Sequence, residues 1–192
     1  MNKKPVVYAF IDSQNLNLGV QSHGWKLDFK KFRLYLKNKY SVEEAYLFIG
    51  LVPGNEKLYS SLSSAGYKLV FKPTVQYIEN GSVSMKGNVD AELVLYAAAK
   101  VYDEYDKAIV VSGDGDFTCL HDYLIEKRKL LHVMVPNRRF SKLLRSQLKY
   151  IVQIDQLRTK FAYKPHKNQP VRSVETLGRA GKTSRSSGRS KP

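Results

Sequence analysis

Five short apolar runs constrain this chain more than any other feature: Val6 to Ile11, Ala45 to Ile49, Leu69 to Phe71, Lys107 to Val111 and Leu130 to Val135. A strand with one wet face alternates apolar and polar residues. Runs without alternation are buried on both faces, as the strands of a parallel sheet are. Helical patterns lie between them, at Asp28 to Lys39 with Asp28 as N-cap, Asn55 to Ala65, Val89 to Tyr102 and Phe117 to Lys127. Strands that alternate with helices imply βαβ units and a mostly parallel, doubly wound α/β sheet. At 192 residues, 43% of them hydrophobic, the chain suffices for one core and a short appendage.

Two segments depart from that rhythm. Thr74 to Lys86 alternates like a strand pair around Glu79-Asn80-Gly81-Ser82, and Asn-Gly is a strong hairpin signal, so a β-hairpin insertion is predicted there. A short helical stretch is expected from Ile154 to Phe161. Beyond it the composition changes: Lys164 to Pro192 holds eight Lys and Arg, one Glu and almost no large apolar residue. The expected organisation is a folded domain over 1–161 and a disordered basic tail over 162–192.

The formal charge is +15, from 32 Lys and Arg against 17 Asp and Glu, and the chain stays basic without its tail. A polyanion is the natural partner. Charge alone does not separate RNA from DNA, an anionic membrane, an acidic protein or a merely solubilising surface; nucleic acid is favoured because bases are spread throughout while acids concentrate at a few points. Cys119 is the only cysteine, which excludes an internal disulfide framework and a four-cysteine zinc site and fits a reducing compartment. Asp12 interrupts the first apolar run far short of a signal-peptide core or a membrane span, so a cytoplasmic protein is expected.

The fourth apolar run stops at Ser112-Gly113-Asp114-Gly115-Asp116, two carboxylates one residue apart. Ligands of open α/β sheets collect beyond the carboxyl ends of strands, and Asp12 stands in the same position after the first run. If these two strands adjoin at the switch in strand order, the acids share a crevice. Asp90 lies at helical spacing from Val94, Ala97 and Val101, on the sheet-facing stripe, whereas Glu92 is expected to point away. A plain helix-start acid explains Asp90 only in part, because it also tops the buried stripe. Four clustered aspartates would repel one another unless a hard cation were present. An all-oxygen ligand set with no His or Cys cluster points to Mg²⁺ or Mn²⁺. Of the scattered histidines only His121, on the helix after Asp116, is placed to matter.

Polar residues surround these acids. Asn15 is a candidate acceptor for metal-bound water, a donor to phosphate, or simply a helix cap. Ser13, Lys86 and Ser112 are candidates for contact with substrate, against plainer readings as solvated or strand-end residues. Ser141 is a candidate N-cap from which Lys142, Arg145 and Lys149 form one helical stripe, with Leu144, Leu148 and Ile151 opposite. With Arg138 and Arg139 just before it, this stripe reads as a track for a phosphate backbone. Bound magnesium activates water and stabilises the leaving oxygen, so phosphodiester hydrolysis needs little beyond such a site. No Walker loop or Gly-x-Ser-x-Gly elbow occurs, which argues against an NTPase or an α/β-hydrolase.

Phe10-Ile11-Asp12-Ser13-Gln14-Asn15-Leu16, Lys86-Gly87-Asn88-Val89-Asp90 and Val111-Ser112-Gly113-Asp114-Gly115-Asp116-Phe117 together resemble the NYN domain, LabA-like branch, of the PIN-like nuclease superfamily, over about residues 5–155. The resemblance implies a three-layer α/β/α sandwich around a central parallel sheet and Mg²⁺- or Mn²⁺-dependent ribonuclease activity. By position it implies that Asp12, Asp90, Asp114 and Asp116 form the acidic metal site and that Asn15 is the Asn after the first strand. The chain departs from the family in having Ser13 or Gln14 where Asn is common, and in inserting Asn88 into Lys-Gly-Val-Asp.

The leading expectation is therefore a ribonuclease, an endonuclease acting on RNA, as monomer or homodimer. A binding module that keeps its metal pocket without turnover is the first rival. A haloacid-dehalogenase-type phosphatase ranks third, because it would need a second Asp where Gln14 stands.

Overall fold

The structure, a computed structural model, describes residues 4–73, 75–79, 82–86 and 90–164, with 73–86 described by backbone alone. In chain order the elements are β1 (Val7–Asp12), α1 (Ser13–Gln21), α2 (Phe29–Tyr40), β2 (Val42–Leu51), α3 (Glu56–Ser64), β3 (Lys68–Pro73), β4 (Val75–Glu79), β5 (Ser82–Lys86), α4 (Asp90–Leu95), β6 (Lys107–Val111), α5 (Thr118–Glu126), β7 (Leu130–Val135), β8 (Ile151–Gln153) and α6 (Arg158–Phe161). Among the described residues β3-β2-β1-β6-β7-β8 form one sheet, parallel at every pairing.

The unbroken apolar runs are explained by burial on both faces of this sheet. From β1, Val7, Ala9 and Ile11 enter a core with Leu16 and Val20 of α1, Phe32 and Leu36 of α2, Leu62 of α3 and Phe161 of α6. Tyr8 and Phe10 turn to the other face, against Leu93, Tyr105, Leu120, Leu124 and Leu144. Strand alternation thus divides one run between two cores, and the three-layer α/β/α sandwich expected from the sequence is what the chain forms.

The hairpin is present as an antiparallel pair running from Val75 opposite Lys86 to Glu79 opposite Ser82; its expected turn at Asn80-Gly81 lies outside the described residues. The tail from residue 165 onward lies outside them too. The short strand β8 and helix α1 are additions to the sequence reading. Asp28 caps α2 as expected, accepting from Lys31 N at 3.1 Å.

The helix expected over 89–102 is not one α-helix. After Leu95 the backbone opens into a π turn, Tyr96–Lys100, and then a 3₁₀ turn, Tyr102–Glu104. The buried Tyr105 hydroxyl donates to Ala97 O at 2.5 Å, giving a carbonyl inside the wide turn a partner the ordinary helix would not need. Ala97 and Val101 are buried as expected, but Leu93 completes the buried stripe where Val94 was expected, and Val94 is only half-buried. Glu92 does not point away as expected: its carboxylate pairs with Lys72 Nζ at 3.2 Å, because Lys72 shares a sheet face with Val70, the face that α4 covers.

Candidate functional site

The strand order reverses between β1 and β6: β2 and β3 continue to one side, β7 and β8 to the other. Ile11 lies opposite Val111, so Asp12 and Ser112 leave the sheet side by side at this switch point. The topological expectation for the first and fourth apolar runs is met.

Asp12 ends β1 and caps α1, accepting from Asn15 N at 3.0 Å. It is only 5% exposed. Burial, with a smaller push from the nearby Asp90 charge, raises its carboxyl to about 6 against the opposing hydrogen bonds from the Asn15 and Gln14 backbone and from Ser112. Asp90, in the first turn of α4, is thereby placed electrostatically beside Asp12.

Ser112 is fully buried. Its hydroxyl donates to Asp12 Oδ2 at 3.4 Å and accepts from Asp114 N at 3.1 Å, so it ties the two acid-bearing segments together from beneath. Ser13 is buried as well. Asn15 is not the helix cap, since Asp12 is; its Oδ1 accepts from Gly113 N at 2.8 Å and stitches α1 to the turn after β6. Asp114 caps the 3₁₀ turn Gly115–Phe117 by accepting from Asp116 N at 3.1 Å, and Asp116 is exposed. Lys86 closes β5.

The basic segment meets this turn directly. Ser141 N donates to Gly113 O at 3.0 Å, and Ser141 caps the stretch Lys142–Tyr150. A Cβ on Gly115 would stand 2.3 Å from Ser141 Oγ, so the glycine is what permits this approach. Arg138, Arg139, Lys142 and Arg145 are all exposed along this edge.

The segment is not the α-helix that a 3.6-residue stripe requires. It consists of 3₁₀ turns interrupted at Gln147, where φ is −109° and ψ 15°. With about three residues per turn, Leu144 and Gln147 face inward while Leu148 is 58% exposed, which corrects the expected apolar face of Leu144, Leu148 and Ile151. Lys142 and Arg145 still share a face, three residues apart.

Sequence reasoning missed two polar anchors. Buried Gln147 accepts from His121 Nδ1 at 2.9 Å and donates to Asp122 Oδ1 at 2.7 Å, joining α5 to the basic segment. Burial pulls the His121 imidazole down to about 4, so it is neutral at physiological pH. Asn137, also buried, donates to Gly19 O at 2.7 Å and accepts from Arg139 N at 2.7 Å. Its place just after β7, behind Pro136, was the available turn signal.

Among the described residues no three His, Cys, Asp or Glu side chains stand close enough to grip a single ion. The donors are all carboxylates, which suit a cation that keeps much of its water and takes only one or two protein ligands, as Mg²⁺ does. A buried carboxyl under a second negative charge is the feature that such a cation would relieve.

Fold and site define a class: an α/β/α protein with acids at the switch point of a parallel sheet and a basic segment on the same edge. The profile described as NYN domain matches residues 6–155, and the chain belongs to the NYN domain family. It is similar to the low amplitude and bright protein LabA of Synechococcus elongatus, 25% identical over 178 residues that cover 89% of this chain and 95% of LabA. It also resembles the crystal structure of a protein of unknown function from Vibrio parahaemolyticus, with a TM-score of 0.69 and 24% identity, covering 85% of this chain and 99% of that one; this likeness speaks to the fold alone.

Proposed function

We propose that the protein is a Mg²⁺- or Mn²⁺-dependent ribonuclease, an endonuclease that hydrolyses RNA phosphodiester bonds at the switch-point crevice. The observation that carries this reading is Asp12: a buried carboxyl, held up to about 6 by desolvation and by Asp90, beside the Asp114 turn that Ser112 links to it. Membership in a family whose members are generally PIN-like nucleases supports it.

In this reading Asp12, Asp90, Asp114 and Asp116 would hold the metal. A bound divalent ion would supply an acidified water and charge stabilisation at the leaving oxygen. The chain's own residues do the rest. Asn15 and Ser112 fix the acid-bearing segments. Arg138, Arg139, Lys142 and Arg145 draw the phosphate backbone along the rim, with Ser13, Ser141 and Lys86 assigned to the same substrate edge. The lone thiol of Cys119 is exposed and fits a reducing cytoplasm. Among the described residues no helix is long and apolar enough to cross a membrane.

One observation favours a second reading, a nucleic-acid-binding module without turnover: the acids do not converge on one point among the described residues. Cleavage of RNA and DNA panels with Mg²⁺, Mn²⁺ or EDTA separates the two. The nuclease reading expects metal-dependent RNA cleavage that Asp12→Asn and Asp114→Asn abolish without loss of fold. Equal turnover by the variants overturns the mechanism, and binding without cleavage by wild type selects the second reading.

A further inference from the structure

A second basic feature lies on the opposite layer, on α2. Its twelve residues contain Lys30, Lys31, Arg33, Lys37 and Lys39 and no acid. Arg33 is committed to structure, donating to the carbonyl oxygens of Gly66, Val42 and Glu43. Lys31 pairs with Asp28 at 3.2 Å and donates to Ala162 O at 3.3 Å. Lys37 and Lys39 complement the helix C-terminus, which is the ordinary reason for lysines there.

That reason does not extend to what stands beside them. An open groove of about 420 Å³ runs between α2 and α6, lined by Lys31, Leu34, Tyr35, Asn38, Lys39, Lys160 and Phe161. Lys160 comes from a different element, and among the described residues no acid lines the groove. Leu34, 55% exposed, sits among the cations, where an isolated protein gains nothing from an apolar side chain. Tyr35 is fixed edge-on against Phe161, with ring centres 4.8 Å apart, and Lys160 Nζ lies 5.6 Å from its ring centre. The volume falls in the range of small-ligand clefts, about 300–1,000 Å³.

Cations around an apolar and aromatic floor, with an amide at the rim, are the chemistry of a nucleotide in a single strand: phosphates on lysines, base or ribose on Leu34 and Tyr35. By charge, the chain's own basic segment does not suit this groove. Asp28 N donates to Phe161 O and Tyr163 N to Lys26 O, at 2.7 and 2.9 Å, and the sequence from Lys164 on holds eight Lys and Arg against one Glu. Its charge has the same sign as the groove's.

We propose that the groove of Leu34, Tyr35, Asn38, Lys39 and Lys160 is a second contact site for single-stranded RNA, on the layer opposite Lys142–Tyr150. The choice of RNA rests on the function proposed above; the site itself does not depend on catalysis. The test uses the full chain, a fluorescent 12-mer of oligouridine and EDTA, with anisotropy read across a salt series. Lys39→Gln/Lys160→Gln, which removes charge at two exposed positions, is expected to weaken binding about tenfold and flatten the log K against log salt slope by roughly 1.4, near 0.7 per lost phosphate contact on a single strand. Leu34→Asp is expected to weaken it further, with all variants melting as wild type does. Unchanged affinity and slope overturn the proposal, as does polyglutamate binding the wild type as tightly as the oligonucleotide does. Because EDTA removes turnover, absence of cleavage in the metal assay would sink the nuclease reading and leave this result standing. Unchanged binding with cleavage intact would sink only the groove.

Discussion

Asn15 Oδ1 accepts a 2.8 Å hydrogen bond from Gly113 N, joining the start of α1 to the turn that follows β6. The two elements bear Asp12 and Asp114, so this bond helps to set the distance between the acids. Asn15→Leu leaves the Gly113 N–H without its acceptor in a part-buried place and is expected to cost about 1–3 kcal/mol in urea unfolding. Amide exchange at Gly113 should speed up by more than at neighbouring residues. If Gly113 keeps its protection, the bond does not hold the turn.

Asp12 and His121 respond to pH in opposite senses. Asp12 in the folded chain titrates near 6, above its ordinary 3.8, so the native state holds the proton more tightly than the unfolded chain between these values. Its contribution to stability falls as pH rises from 4 to 6, by about 3 kcal/mol at 1.36 kcal/mol per unit. Asp12→Asn keeps the capping oxygen and is expected to stabilise the metal-free protein above pH 6 while removing that slope. Mg²⁺ or Mn²⁺ should raise the melting temperature of the wild type at pH 7, less at pH 5, and not at all in the variant. A metal shift that persists in Asp12→Asn would place the ion elsewhere.

The fold was legible because burial on both sheet faces writes itself as unbroken apolar runs; Lys107–Val111 and Leu130–Val135 emerge with the ends expected of them. The switch point followed from the positions of Asp12 and Asp114 after their strands. Helix type was not legible. The Lys142–Tyr150 segment has an apolar spacing compatible with 3.6 residues per turn, and only tertiary contact, with Gln147 drawn in to His121 and Asp122, selects the tighter turn. The π turn after Leu95 is likewise bonded from outside the helix, by the Tyr105 hydroxyl. The basic groove went unseen because Lys160 and α2 are brought together by tertiary docking, of residues 161–163 against the start of α2 and of Phe161 against Tyr35.

His121 is held neutral by burial, near 4 rather than 6.5, so the unfolded chain binds the proton first on acidification. Its contribution is complete above pH 6.5 and is lost as pH falls toward 4, offsetting Asp12 in the same window. Gln147→Leu strips the Nδ1–H of its acceptor and is expected to cost about 1–3 kcal/mol, whereas His121→Phe with Gln147→Leu should cost less than the two single changes added. A double-mutant cycle by denaturant titration reads this directly. Additive losses would mean that the two side chains are not coupled.

Gly115→Ala drives a Cβ into Ser141 Oγ and to within 2.9 Å of Leu143 Cδ1. The basic segment must retreat, at an expected cost of about 1–3 kcal/mol. RNA affinity should fall with a shallower salt slope as Lys142 and Arg145 shift from the rim. Gly115→Ala/Ser141→Gly restores room and still leaves a tolerable N-cap, since Gly there costs only a few tenths of a kcal/mol. Recovery of stability and binding in the double variant is the expected outcome; a double variant as weak as the single one would assign the loss to the Gly115 backbone instead.

Tyr105 reaches the acid site without touching it. Its hydroxyl donates to Ala97 O in the π turn, which directly follows α4, and α4 carries Asp90 in its first turn. Tyr105→Phe removes this buried hydrogen bond, an expected loss of about 1 kcal/mol. Closing the turn to regular α geometry would swing Asp90 about its helix axis by roughly 100°, one residue's worth at 3.6 per turn. Mn²⁺ affinity should therefore drop in Tyr105→Phe by more than in a destabilised control such as Leu124→Ala, at temperatures where both are folded. Calorimetric titration with Mn²⁺ measures it. Equal affinities in the two variants would confine Tyr105 to the core.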